Sequence, residues 1–108
     1  MTHSQDPKLK TILETLKKEF TPIRIFLFGS RANGNTHIDS DYDFVIVVKE
    51  TSKTRIENMR LARTLIRKAA NVSADVFVYD ENEFNAYKNE FSSIPETALN
   101  TGRELDLG

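Results

Sequence analysis

The run from Leu27 to Asp43, Leu-Phe-Gly-Ser-Arg-Ala-Asn-Gly-Asn-Thr-His-Ile-Asp-Ser-Asp-Tyr-Asp, limits the architecture of this chain more than any other stretch. It leaves one apolar run, Ile25-Phe26-Leu27-Phe28, and enters another, Phe44-Val45-Ile46-Val47-Val48. Short apolar runs bounded by turn residues read as buried strands. Gly29-Ser30 therefore marks a strand ending in a tight turn, whose bare amides and hydroxyl can face a phosphate. Asp41 and Asp43 flank Tyr42 at the opening of the second strand, and alternate residues of a strand share a face. Their Cα atoms would lie about 6.5–7 Å apart, near enough for both carboxylates to clasp a hard divalent cation.

For the Gly-Ser turn and the two acids to meet, the first two strands must run antiparallel. A third carboxylate, Asp75, opens the strand Ala74-Asp75-Val76-Phe77-Val78-Tyr79. A charge entering a sheet needs a partner or water. The segment between strands two and three reads as a long helix, capped by Thr51 or Ser52 and running to about Ala70, as in a parallel crossover. The expected sheet is mixed, with the three acids and the Gly-Ser turn at one end. Tyr42 should point away from the carboxylates and pack.

The flanks are simpler. Asp6-Pro7 reads as a helix start, with Leu9, Ile12, Leu13, Leu16 and Phe20 at helical spacing and Thr21-Pro22 as the break. Ser30 to Asn33 reads as a short helical turn closed by Gly34, followed by polar loop to Ser40. On the long helix, Ile56, Met59, Leu61, Ala62, Leu65, Ile66 and Ala69 form the packing stripe, and its Arg and Lys residues read as a solvated face. Asp80 with Glu83 forms a capping box, Ser93 and Glu96 repeat it around Pro95, and Gly102 is a helix stop. The end, from Glu104, is an edge strand or a tail.

Composition narrows the classes. The 108 residues suit one domain, 1–108, too short for a catalytic and a substrate domain together. Net charge is −1, with Lys and Arg spread along the chain, so a long nucleic acid is not an expected partner. There is no cysteine, which leaves hard-cation chemistry and fits a reducing compartment. No apolar run approaches a membrane span, and the start lacks a targeting pattern. The expectation is a cytoplasmic protein.

Gly29-Ser30, ten intervening residues and Asp41-Tyr42-Asp43 together resemble the signature of the DNA polymerase β-like nucleotidyltransferases. The fuller run, Gly29-Ser30-Arg31-Ala32 with Gly34 and then Ser40-Asp41-Tyr42-Asp43, is similar to the minimal nucleotidyltransferase (MNT) branch, over most of the chain to about Tyr79. The resemblance implies the nucleotidyltransferase fold, an α+β sandwich in which a small mixed sheet is packed with helices. It also implies two Mg²⁺ ions, with ATP as substrate. On this resemblance Asp41 and Asp43 hold both ions and Asp75 mainly the ion at the nucleophile. Gly29 and Ser30 meet the β- and γ-phosphates, and Arg31 adds charge there. In the MNT branch such a chain is an antitoxin that transfers AMP to a tyrosine of a HEPN-domain ribonuclease toxin. Asn33 and Asn35-Thr36-His37-Ile38 depart from the basic, acidic and proline residues usual there, which leaves nucleotide and acceptor preference open.

Blander readings stand beside this one. Asp41 and Asp43 could be solvated residues ahead of a strand, Asp75 a chain-end carboxylate, Arg31 a surface charge, and Gly34, His37 and Asp39 ordinary loop residues. At the level of function, the alternatives are an inactive nucleotide-binding or structural antitoxin acting by contact, and a nucleotidyltransferase acting on an antibiotic or sugar. Homo- and hetero-oligomers are both open.

Overall fold

The computed structural model describes residues 7–29 and 42–108. The expected break after the first helix is present: α1 (Pro7–Phe20) ends where Thr21 takes a left-handed φ of 47° and Pro22 follows. Its apolar spacing buries Ile12 and Leu16 and leaves Lys10 and Lys18 in solvent. Asp6, the expected cap, lies outside the described residues. The chain then forms β1 (Arg24–Phe28) and, after the undescribed stretch, β2 (Tyr42–Val48).

These strands are antiparallel, pairing Arg24 with Val47 at one end and Phe28 with Asp43 at the other. The crossover helix α2 (Arg55–Ala70) returns the chain to β3 (Ala74–Asp80), which runs parallel to β2. Two short helices, α3 (Glu81–Tyr87) and α4 (Ile94–Thr101), lead to the two-residue β4 (Arg103–Glu104), antiparallel to β1. The sheet order is β3-β2-β1-β4. β2 is thus central, and all its residues but Asp43 are buried, as a nearly continuous apolar strand requires.

The sheet separates two apolar layers. On one face Ile12, Leu16, Ala62 and Ile66 of α1 and α2 pack on Ile25, Leu27, Tyr42, Phe44, Ile46, Val76 and Val78. On the other, Phe84 of α3 and Ala98 of α4 pack on Phe26, Val45, Val47 and Tyr79. Tyr42 faces the α1/α2 layer with its ring stacked on Phe44, 6.1 Å between centroids, so it turns away from Asp43 as expected. The architecture is α+β, a mixed four-stranded sheet with helices on both faces. Among the described residues no helix is long and apolar enough to cross a membrane.

One helix boundary differs from expectation. The N-cap of α2 is Thr54, not Thr51 or Ser52: its hydroxyl accepts from the Glu57 amide, and the Glu57 carboxylate accepts from the Thr54 amide. A capping box needs an acid or amide three residues on, which Thr54 has and Thr51 and Ser52 lack. Thr51 serves the turn instead, accepting from the Lys53 amide and from the side chain of buried Asn58.

Candidate active site

Gly29 follows the last residue of β1 with φ at +82°, a left-handed conformation that L side chains rarely adopt. Space is equally restrictive there, since a Cβ on Gly29 would lie 2.6 Å from Asp43 Oδ2. The Asp43 carboxylate therefore rests against the bare backbone of the turn. This contact follows from register, because Phe28 is the β1 partner of Asp43 and Gly29 is the next residue.

Asp75 is the β3 partner of Asp43. In-register residues of parallel strands project to one face at the strand spacing of about 4.8 Å. Strand alternation puts both carboxylates on the α3/α4 side, two residues before Val45 and Phe77 in their respective strands. Phe28 and Phe77 stand on the same side, half-buried, with ring centroids 6.3 Å apart, and form an apolar wall next to the acids. Such a wall limits the water that can screen charges placed against it.

Asp75 has a partner that the sequence reading left in solvent. Arg63, on α2, donates from Nη2 to Asp75 Oδ1. The expectation of a purely solvated Arg and Lys face on this helix is corrected at this residue. One turn further along, Arg67 Nη2 donates to Ser73 Oγ at 2.9 Å, just before β3. A signal was available: arginines four apart share a helix face, and this helix feeds directly into the strand carrying Asp75.

Of the six residues singled out from sequence, Gly29, Asp43 and Asp75 are brought together. Asp41, Ser30 and Arg31 lie outside the described residues. Among the described residues no three His, Cys, Asp or Glu side chains gather as a metal cluster. Asp43 and Asp75 supply two anionic oxygen donor groups, the chemistry that a hard cation such as Mg²⁺ selects. Gly29 lets the Asp43 carboxylate lie against the turn, where any side chain would displace it. The residues present thus fit a divalent ion. A cavity of ≈ 240 Å³ lined by Phe20, Val48, Thr51, Asn58 and Val78 lies at the far end of β2 and takes no part in this arrangement.

The model of the nucleotidyltransferase domain family matches residues 9–105, nearly the whole described sheet and its helices. The chain belongs to that family. A search of the curated proteins finds no match. Among solved structures, this nucleotidyltransferase domain is similar to a toxin–antitoxin crystallised with AMP-PNP, with a TM-score of 0.67 at 17% identity, covering 88% of this chain and 69% of that one. It is also similar to a mutant of the toxin–antitoxin MntA-HpeT, with a TM-score of 0.63 at 16% identity, covering 90% and 70%. At such identities the likeness is one of fold, and it agrees with the family match.

Proposed function

We propose that this nucleotidyltransferase moves AMP from Mg²⁺-ATP to a hydroxyl, with a tyrosine of a HEPN-domain partner toxin as acceptor, and so acts as an antitoxin. The observation that carries the reading is the in-register Asp43–Asp75 pair seated against Gly29. Its context is the Gly29-Ser30 and Asp41-Tyr42-Asp43 spacing. The neighbouring folds add support, one of them a toxin–antitoxin with AMP-PNP.

In the reaction the acceptor oxygen attacks the α-phosphorus. The bond from that phosphorus to the oxygen bridging to the β-phosphate breaks, pyrophosphate departs with the electron pair, and the hydroxyl proton passes to solvent. Bound Mg²⁺ would lower the pKa of the attacking hydroxyl and neutralise charge on the phosphates. In this reading Asp41, Asp43 and Asp75 would hold the ions, and Asp75, on the edge strand β3, would serve the acceptor side. Gly29 and Ser30 offer amides and a hydroxyl to the β- and γ-phosphates, and Arg31 adds a positive charge there. Phe28 and Phe77 give the carboxylates an apolar neighbour on one side.

The test is incubation with α-labelled ATP, Mg²⁺ and the product of the adjacent gene, run with wild type and Asp43→Asn. Label on the partner with wild type, and a loss of at least about a thousandfold with Asp43→Asn, is expected because an amide is a poor substitute for a carboxylate ligand. Tight association without label would favour a partner held by contact alone. Label on a small hydroxylated molecule instead would move the acceptor class to antibiotics or sugars.

A further inference from the structure

We infer that Arg63 occupies Asp75 in the metal-free protein and that loading a divalent ion is an exchange in which the guanidinium leaves. The inference rests on the carboxylate reading above. α2 packs on the α1/α2 face of the sheet through Ala62 and Ile66, whereas Asp75 projects from the opposite face. Arg63 nevertheless donates to Asp75 Oδ1, and β3, which carries Asp75, is an edge strand. Two carboxylates at strand spacing repel each other, and a guanidinium on one of them offsets that repulsion. A divalent ion held by Asp75 and Asp43 would draw on the same carboxylate that Arg63 holds through Oδ1, so guanidinium and metal would compete for its negative charge.

The pair is built to be released. The Arg63 side chain is 53% exposed and that of Asp75 31%, and ion pairs this accessible to water are weak. Letting go does not free the helix, because Arg67 still ties the following turn of α2 to Ser73. The Thr54–Glu57 capping box fixes its start. The guanidinium can therefore swing into solvent while Ala62 and Ile66 stay packed.

The experiment titrates Mn²⁺ alone into the metal-free protein, following free Mn²⁺ by electron paramagnetic resonance with no nucleotide present. Removing a competitor of this strength should tighten Mn²⁺ binding about two- to fivefold in Arg63→Gln. Arg63→Lys, which keeps a cation within reach, should bind nearly as wild type. The gain should vanish when Asp75→Asn is added to Arg63→Gln. Equal or weaker binding by Arg63→Gln, with Asp43→Asn still lowering affinity, would overturn the exchange and leave the carboxylate site standing. Mn²⁺ binding indifferent to Asp43→Asn would overturn both.

Discussion

At Gly29 two requirements meet in one residue: the backbone must turn with positive φ, and a carboxylate must lie where a side chain would begin. Gly29→Ala should therefore do more than strain a turn. The left-handed conformation alone costs roughly 1–2 kcal/mol, a loss that urea denaturation would register. The added methyl must also push Asp43 away, so Mn²⁺ affinity should fall further than the stability change accounts for. A variant with unchanged stability and unchanged Mn²⁺ binding would show that the close approach has no consequence. The sequence announced Gly29 and Asp43 through their places at strand ends. For Arg63 it carried only the weaker sign of the Arg63/Arg67 spacing on the helix that feeds β3, because a helical arginine looks the same whether it meets water or a carboxylate. Only the meeting of the helix with the edge strand distinguishes the two.

Among the elements, the starts of α3 and α4 were legible, and that of α2 was not. The Asp80–Glu83 box of α3 and Ser93 at α4 stand where the sequence placed them. The cap of α2 was misplaced, although Thr54-x-x-Glu57 carries the pattern. Thr54→Ala should cost about 0.5–2 kcal/mol, readable as a lower thermal midpoint, whereas Ser52→Ala should cost little. Gly102 was legible as a stop, but its tighter constraint is contact: a Cβ there would lie 2.8 Å from the Leu27 carbonyl oxygen and 2.9 Å from Phe28 Cβ. Of the chain end only Glu104 lies in a strand, β4, where it accepts two hydrogen bonds of 2.9 Å from Arg24, and residues 105–108 follow outside any strand.

That hydrogen-bonded pair carries a pH dependence. Bonding to Arg24 holds the Glu104 carboxyl below its ordinary value of 4.5. A carboxyl depressed by folding adds stability above its unfolded pKa, and this is lost as pH falls through the folded value. Both side chains are more than a third exposed, so the contribution is small, about 0.2–1 kcal/mol. Glu104→Gln should thus lower stability slightly at pH 7 and converge with wild type in strong acid. A gap that widens below pH 4 would contradict this account of β4.

For the molecule as a whole, the topology was deducible because chemistry and chain direction constrain each other. A turn at the end of one strand can meet acids at the start of the next only if those strands are antiparallel. A long helix between β2 and β3 then makes that pair parallel. The observed order, β3-β2-β1-β4, sets Gly29, Asp43 and Asp75 at one end of the sheet and the ≈ 240 Å³ cavity at the other. The acceptor was not legible in the same way, since carboxylates that hold an ion serve one hydroxyl as well as another. By the function proposed above, this end of the sheet holds Mg²⁺-ATP with Asp75 on the acceptor side. Asp75→Asn tests it most directly, by calorimetric titration with a non-hydrolysable ATP analogue and Mg²⁺ alongside the transfer assay. The predicted result is affinity within about threefold of wild type and transfer reduced at least about a hundredfold, since activation and alignment of the nucleophile are each worth several kcal/mol. Transfer at the wild-type rate would contradict it.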